Sequence, residues 1–330
     1  MTYRPCAAMV MDAEVAEQVL PGDLRRRLAR SVTLVPPSGD GSLPVPGVLA
    51  ETEILLTSWG CPPLTAEVLA AAPRLAAVVH AAGSVKALVG DAVWERGILV
   101  SSAAEANAGP VVDFTLAAVT FAAKGALRTA ARYTEGPPAF AARTGTDART
   151  IGVIGASRIG RRVLRALRGS AAGYRLLLAD PYVSLADAAS LGAELVTLPE
   201  LCRRSSVVSV HAPELPETRG LLDAAMLALI PDGGVLVNTA RGSLVDTEAL
   251  TRECAEGRLD AYLDVTEPEP LPPGHPLLAL PNVQVTPHIA GAQGSEARRL
   301  GAFAAAEVER FLAGEPLSGA VRREELARLA

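Results

Sequence analysis

The 330-residue sequence has little cysteine, little lysine and few aromatic residues. Its four cysteines lie far apart and form no CxxC pair, so we expect reduced thiols rather than disulfides or a bound metal ion. Only two of the 31 basic residues are lysines, the net charge is −5, and no run of basic residues indicates a nucleic-acid surface. We therefore expect a cytoplasmic protein with no nucleic-acid partner.

Long apolar segments are also scarce. The first 15 residues include acidic side chains before a signal-peptide core can form, so we expect no secretion signal. The most apolar stretch, residues 111–123, follows Pro110, contains Asp113 and ends before Lys124. It is shorter than a membrane span and predicts a buried helix, so we expect no membrane partner.

What is present is enough apolar sequence, 49%, for two packed domains. From Ile151 onward short β-rich runs alternate with helical runs, which predicts a parallel sheet with helices on both faces. The first hundred residues show a looser series of the same kind, and the last helix, about residues 295–312, is expected to return to that first domain. The predicted fold class is α/β, with two doubly wound open parallel sheets. We expect residues 1–104 and 292–330 to form a flavodoxin-like domain and residues 105–291 to form a Rossmann-type domain.

A glycine loop opens the second half of the chain. In GVIGASRIG, Gly155, Ser157 and Gly160 occupy the three places of a GxGxxG fingerprint, between a predicted strand and a predicted helix. Asp180 ends the next strand, where an acidic side chain accepts bonds from an adenosine ribose. The alternative for the glycine loop is a tight strand-to-helix turn that binds no ligand. The alternative for Asp180 is a turn residue before Pro181. The acid, with no arginine following it, predicts NAD rather than NADP.

Three spaced segments follow in a fixed order: NTARGSLVD at 238–246, LDVTEPEPL at 263–271 and TPHIAG at 286–291. Together with HAPELPETRGLL at 211–222, the chain from about residue 51 to 312 resembles the D-isomer-specific 2-hydroxyacid dehydrogenases. The resemblance implies an NAD-dependent oxidoreductase acting on a D-2-hydroxy acid and 2-keto acid pair, with residues 1–104 and 292–330 as the substrate domain and residues 105–291 as the NAD-binding domain. It also implies a homodimer, formed with an arm at about residues 133–149.

The resemblance implies three catalytic side chains. Arg241 offers a two-pronged clamp for a substrate carboxylate and carbonyl; its alternative is a surface arginine that caps carbonyl groups. His288 exchanges the proton, and Glu269 orients the imidazole, with Glu267 as the competing carboxylate. A glutamine in place of Glu269 is what we expect in formate dehydrogenase, a structural cousin. The alternative hypothesis for the function of this chain is a non-catalytic NAD-sensing protein with the same fold.

Binding residues are implied in the same way. The predicted cofactor-binding residues are Gly155, Ser157, Arg158, Ile159, Gly160, Asp180, His211, Pro213, Thr218, Thr239, Ala240, Arg241, Asp264, His288 and Gly291. The predicted substrate residues are Gly83, Ser84 and Arg241. Asp264 is expected to bond the nicotinamide carboxamide, the alternative being a strand-end turn residue. Lys86, in the substrate loop, either meets a second anionic group or is a solvated charge.

Overall fold

The computed structural model describes residues 3–326. The strands are β1 Cys6–Val10, β2 Thr33–Val35, β3 Thr52–Thr57, β4 Ala77–His80, β5 Leu99–Ser102, β6 Thr150–Ile154, β7 Arg175–Ala179, β8 Glu194–Leu195, β9 Val207–Val210, β10 Val235–Asn238, β11 Asp260–Leu263, β12 Val283–Val285 and β13 Ala320–Val321. The helices are α1 Ala13–Val19, α2 Gly22–Leu28, α3 Pro46–Glu51, α4 Ala66–Ala71, α5 Asp91–Glu95, α6 Ala104–Ala123, α7 Ala126–Ala131, α8 Arg158–Arg168, α9 Leu185–Ser190, α10 Leu198–Arg204, α11 Ala224–Leu229, α12 Thr247–Ala255, α13 Ala297–Leu312 and α14 Arg323–Leu326. Short 3-10 turns lie at Tyr133–Glu135, Phe140–Ala142, Pro216–Thr218, Gly242–Leu244, Pro276–Leu278 and Gly294–Glu296.

The described chain divides into two compact units. The first comprises residues 3–109 and 292–326, and the second comprises residues 110–291. Each unit contains one sheet, and the strands of each sheet alternate along the chain with helices. Such alternation is what a parallel sheet requires, because each return crossover must span the length of a strand.

The first unit contains a six-stranded sheet in the order β2-β1-β3-β4-β5-β13. Its first five strands are parallel, in the doubly wound order found in flavodoxin-like folds, and β13 pairs antiparallel with β5. The antiparallel edge strand was not expected from the sequence. The sequence also gave no indication of β1, since CAAMV is rich in alanine, a weak strand former. β1 lies inside the sheet, between β2 and β3, and its burial there overrides that propensity.

The second unit contains a seven-stranded, fully parallel sheet in the order β8-β7-β6-β9-β10-β11-β12. The chain winds outward from β6 in one direction and, after returning to β9, in the other. This is the Rossmann arrangement, with its switch point between β6 and β9. The predicted fold class, two doubly wound α/β sheets, is confirmed. In open sheets of this kind ligands bind beyond the carboxyl ends of the strands, beside the switch point.

The core of the second unit lies on both faces of its sheet. Along β6, Val153 packs into one cluster and Ile154 into the opposite one, and along β10 Val237 and Leu236 alternate in the same way. Because both faces are covered, the strands are apolar at successive positions rather than at every second one. This explains why the sequence shows short continuous apolar runs.

Helix α6 is longer than the sequence predicted. It starts at Ala104 and carries Pro110 inside it, so the proline does not begin the helix. An 18-residue window of this helix has a mean hydropathy of 1.2, so the helix meets the length and composition of a membrane span, and 44% of that window is buried in the protein. Val119 is fully buried in a core cluster of the second unit, and the Thr115 hydroxyl bonds that of Thr239. These contacts agree with the expected buried helix.

In the first unit α13 packs closely against α1. A Cβ atom added to Gly301 of α13 would lie 1.6 Å from the Val19 carbonyl oxygen, so only glycine permits this approach. We predict that Gly301→Ala lowers the free energy of unfolding by about 1 to 3 kcal/mol, because the helices must separate. The matched control is Gly47→Ala in α3, where an added Cβ meets no atom within 4 Å and a small gain in stability is expected. Urea unfolding measures both, and equal midpoints would contradict this packing.

Candidate active site

The predicted residues of the second unit follow the carboxyl ends of successive strands. The glycine loop follows β6, Asp180 follows β7, His211 follows β9, Thr239 follows β10 and Asp264 follows β11. His288 and Gly291 come after β12. Because all seven strands are parallel, these carboxyl ends share one edge of the sheet. Gly83 and Ser84 lie in the other unit.

Glycine is required at two places in the loop after β6. Gly155 has a φ of +90°, and a Cβ atom there would lie 2.6 Å from the Ala212 nitrogen. A Cβ atom on Gly160 would lie 2.1 Å from the Gly155 carbonyl oxygen. The first and third fingerprint positions therefore allow a left-handed turn and close packing of α8 on the loop, as the motif predicts. Arg158 and Ile159 occupy the first turn of α8.

Ser157, in the middle fingerprint place, is the N-cap of α8. Its hydroxyl oxygen accepts a bond from the Gly160 amide at 3.5 Å and donates to the His211 carbonyl at 2.8 Å. Serine is a favourable N-cap, since its oxygen satisfies an amide that the helix leaves unpaired. The serine thus links the loop after β6 to the loop after β9, a contact that glycine cannot make.

Asp180 contacts the same loop. One carboxylate oxygen accepts a bond from the Ala156 amide at 2.7 Å, and the other accepts from the Tyr182 amide at 2.8 Å. An ionised carboxylate has about four acceptor positions, so two backbone bonds leave capacity for ribose hydroxyl groups. The two bonds fix the acid beside the glycine loop, where a dinucleotide fold needs it.

His211 forms part of the wall behind the loop. Its side chain is buried, its Nε2 shares a hydrogen bond of 2.8 Å with the Ser209 hydroxyl, and burial lowers its pKa to about 3. The imidazole is therefore neutral and serves packing, while its carbonyl group receives the Ser157 bond. Further along, the Thr218 hydroxyl donates to the Pro213 carbonyl at 2.7 Å and accepts from the Leu215 amide, which fixes this segment.

Arg241 follows β10 and begins a 3-10 turn. The buried Asn238 side chain donates to the Arg241 carbonyl at 2.8 Å and accepts from the Ala240 amide at 3.0 Å. The guanidinium donates from Nη1 to the Ala240 carbonyl at 2.6 Å, and its side chain is 31% exposed. The residue is thus a half-buried cation on a fixed turn. Sequence reasoning missed Asn238, although an amide that ends an apolar strand was the available signal.

Glu214 was also missed, although it lies next to Arg241. Its Oε2 is 4.0 Å from the Arg241 Nε, and its Oε1 accepts a bond of 2.6 Å from the Ser243 hydroxyl. The sequence signal was a charged residue inside the otherwise apolar HAPEL stretch. Which cation it faces depends on how the loops after β9 and β10 pack together, and this was not visible in the sequence.

His288 pairs with Glu269 and not with Glu267. The distance from His288 Nδ1 to Glu269 Oε1 is 2.7 Å, and the two side chains are 49% and 40% exposed. Glu267 lies 3.2 Å from the Arg219 guanidinium instead. Since Nδ1 faces the carboxylate, Nε2 is the ring nitrogen left to exchange a proton with a bound molecule.

Asp264 holds the turn that carries His288. Its buried carboxylate accepts bonds from the Thr286 hydroxyl at 2.7 Å, the Ile289 amide at 2.8 Å and the Ala290 amide at 2.9 Å. His288 itself has a φ of +54°, a conformation that costs about 1 to 3 kcal/mol for a residue other than glycine. The three bonds stabilise this strained backbone and so fix the direction of the imidazole.

In the first unit, Gly83 and Ser84 belong to the loop after β4. The Ser102 hydroxyl donates to the Gly83 carbonyl, and the Ser84 hydroxyl accepts from the Lys86 amide at 3.4 Å. His80, at the end of β4, shares a bond of 2.9 Å with the Thr57 hydroxyl, and burial lowers its pKa to about 4. This neutral, buried histidine anchors the start of the loop.

The arrangement is suited to nucleotide and organic acid chemistry. Within residues 3–326 no group of three or more His, Cys, Asp or Glu side chains is placed to hold a metal ion. The second unit instead brings together a glycine loop at a helix N-terminus, a ribose-type acid, a guanidinium and a histidine–carboxylate pair. Charge stabilisation and proton transfer are therefore available from side chains alone.

The sequence of this chain is similar to those of proteins from one known family. Residues 116–290 match the sequence profile of the D-isomer specific 2-hydroxyacid dehydrogenase NAD binding domain. The chain is 40% identical over 272 residues to a D-3-phosphoglycerate dehydrogenase of Mycobacterium bovis, covering 79% of this chain and 51% of that protein. It is 33% identical over 269 residues to a glyoxylate reductase of Aeropyrum pernix, covering 78% and 79%. The chain thus spans about half the length of the phosphoglycerate dehydrogenases that it matches.

Solved structures share the fold along most of the chain. A D-lactate dehydrogenase from Aquifex aeolicus, solved with NAD and lactic acid, superposes with a TM-score of 0.74 at 26% identity, covering 94% of this chain and 96% of that one. Similarity over nearly the full length of both chains includes both sheets. The profile match, by contrast, lies inside the second unit, which contains the glycine loop and the histidine–carboxylate pair.

The role of Ser157 can be tested through cofactor affinity. We predict that Ser157→Gly leaves NADH binding unchanged or weaker, because the serine hydroxyl is committed to the His211 carbonyl and the Gly160 amide. Fluorescence titration with NADH measures this. Thr197→Gly, which removes the N-cap of α10, is the control for loss of a cap elsewhere and should leave NADH affinity unchanged. A large gain in affinity for Ser157→Gly would show that the serine obstructs the site.

Proposed function

The chain belongs to the D-isomer-specific 2-hydroxyacid dehydrogenase family, and on that premise we propose that it transfers a hydride between NAD(H) and a small D-2-hydroxy acid or 2-keto acid. The observation that carries this proposal is the 2.7 Å contact between His288 Nδ1 and Glu269 Oε1, with Glu267 bound to Arg219 instead. A histidine oriented by a carboxylate is the acid–base group that the interconversion of an alcohol and a ketone needs.

Each catalytic side chain has a task in keto-acid reduction. Arg241 binds the substrate carboxylate and polarises the carbonyl group, since a guanidinium presents several donors in one plane. His288 donates the proton from Nε2 to the forming alkoxide, and in oxidation it accepts that proton. Glu269 keeps the imidazole oriented and offsets the positive charge that it carries before donation. Reduction therefore starts from the protonated histidine and oxidation from the neutral one.

The loops of the second unit suit the cofactor. Gly155 and Gly160 leave no room for a Cβ atom, α8 offers its N-terminus to a pyrophosphate, and Asp180 is fixed beside the loop as a ribose acceptor. When bound, NADH supplies the hydride. Asp264 and Gly291 lie on the same edge of the sheet as Thr239 and Ala240, and we assign them to the nicotinamide half. We also assign five further residues of the second unit to cofactor binding: Arg158, Ile159, His211, Pro213 and Thr218.

The first unit is proposed as the substrate domain and the second as the NAD-binding domain. Gly83 and Ser84 are assigned to the substrate carboxylate, since a glycine loop presents backbone amides to an anion. The named relatives act on phosphoglycerate or glyoxylate according to their names, and both substrates are small 2-hydroxy or 2-keto acids. We infer that the substrate of this chain is of the same size class.

We also propose a cytoplasmic homodimer. The segment from Tyr133 to Arg149 contains two 3-10 turns, and the Tyr133 and Phe140 side chains are 85% and 84% exposed. Large exposed aromatic groups on one arm are typical of a surface that packs against another chain. The four cysteines are free, which is the usual state in a reducing compartment.

The acid–base assignment predicts different effects for two neighbouring carboxylates. Glu269→Gln should lower kcat for NADH-dependent reduction by about 10- to 100-fold, a part of the two to four orders of magnitude that His288→Ala should cost. Glu267→Gln is the matched control and should stay close to the wild type, because an exposed ion pair with Arg219 contributes little. Steady-state kinetics with glyoxylate measures all three variants. Loss of activity in Glu267→Gln alone would reverse the assignment.

Cofactor choice follows from Asp180. We predict a higher kcat/KM for NADH than for NADPH, since a fixed carboxylate repels a ribose 2′-phosphate. Asp180→Asn should lower the ratio of kcat/KM for NADH to kcat/KM for NADPH by about tenfold, which corresponds to about 1.4 kcal/mol. A wild-type preference for NADPH would contradict the role given to this acid.

The proposed assembly has its own test. Light scattering at micromolar protein should give the mass of two chains. The double variant Tyr133→Ser, Phe140→Ser should shift the protein toward one chain without loss of its secondary structure, since both side chains are exposed. A wild-type monomer would exclude the dimer.

A further inference from the structure

Three basic side chains at this end of the second unit each face a carboxylate. The pairs are Arg241 with Glu214 at 4.0 Å, Arg219 with Glu267 at 3.2 Å and His288 with Glu269 at 2.7 Å. Asp264 adds a further acid, so this set contains four acidic and three basic side chains. A substrate with one negative charge can share Arg241, but these residues provide no unmatched cation for a second negative charge.

The Glu214 carboxylate is fixed in its position. It accepts its 2.6 Å bond from Ser243, whose side chain is buried, and the Ser243 carbonyl accepts the Gly220 amide at 2.8 Å. The loop after β9 and the turn after β10 are thereby joined at Glu214 and again at Gly220. A carboxylate held by a buried hydroxyl keeps its charge near the guanidinium instead of moving into solvent.

Arg241 is consequently a shared cation. Its Nη1 donates to the Ala240 carbonyl, and Glu214 lies on its Nε side. An arriving carboxylate must therefore bind a guanidinium whose charge is already partly compensated. The effect on an anion grows with the number of its charges, since Glu214 repels each of them.

We propose that Glu214 is a specificity-determining residue that restricts this site to monoanionic 2-keto acids and disfavours dianions such as phosphorylated or dicarboxylic acids. The inference rests on the proposed function, in which Arg241 binds the substrate carboxylate. Glu214 is 46% exposed, so solvent screens its repulsion, and we expect a factor of about three in affinity for each substrate charge.

Oxamate and oxalate provide the test, because they have nearly the same shape and differ by one negative charge. Each is titrated into the protein saturated with NADH, with nucleotide fluorescence as the readout. Glu214→Gln keeps an acceptor for Ser243 and removes the charge. We expect it to bind oxamate about threefold tighter and oxalate about tenfold tighter than the wild type. Glu217→Gln, in the 3-10 turn Pro216–Thr218, is the charge-matched control and should change neither affinity.

Kinetics separates this inference from the function on which it rests. The wild type should reduce glyoxylate or pyruvate with a higher kcat/KM than oxaloacetate, and Glu214→Gln should narrow that difference. Equal gains for oxamate and oxalate, or a wild-type preference for dianionic acids that is lost in Lys86→Ala, would overturn the role of Glu214 and leave the dehydrogenase intact. If no 2-keto acid is reduced and neither probe binds, both the proposed function and this inference are wrong.

Discussion

The buried Asp264 carboxylate fixes the geometry on which the rest of the site depends. It accepts bonds from Thr286, Ile289 and Ala290, which lie on both sides of His288 in the sequence. His288 is the histidine whose backbone has a positive φ. A carboxylate with several donors can offset the cost of such a conformation, because bonds to a charged group contribute about 1.5 to 3 kcal/mol each. With the turn fixed, the His288 ring meets Glu269 through Nδ1, and Nε2 is available for chemistry.

The same sheet edge determines how charge is distributed. Successive parallel strands place the glycine loop, Asp180, Arg241 and Asp264 at their carboxyl ends, so the proposed cofactor and substrate residues share one edge of the sheet. Three basic side chains of this edge then face acids from neighbouring loops, Glu214 among them. On the proposed assignment, Arg241 offers its charge to one carboxylate, and the neighbouring acids would disfavour a substrate with a second negative charge.

Motifs predicted what depends on local sequence. The glycine loop needs small residues at fixed spacing, and the order of Arg241, Glu269 and His288 is a linear pattern, so both were visible in the sequence. Contacts between loops were not visible, because nothing in HAPEL shows that Glu214 faces Arg241. The interior strand β1 was missed because its alanines are weak strand formers, a propensity that burial overrides. The predicted bond from Asp264 to the nicotinamide stays a prediction. The fold shows a different role for this residue, since its carboxylate holds the turn that carries His288.

The central claim is that this chain reduces a 2-keto acid to the D-2-hydroxy acid at a site built from Arg241, Glu269 and His288. The most direct measurement incubates the protein with NADH and glyoxylate, pyruvate or hydroxypyruvate in turn, follows NADH absorbance and resolves the enantiomers of each chiral product. We expect NADH loss matched by one hydroxy acid per NADH, with only the D form from the substrates that give a chiral product. Tight NADH binding without reduction of any acid, or an L product, would contradict it.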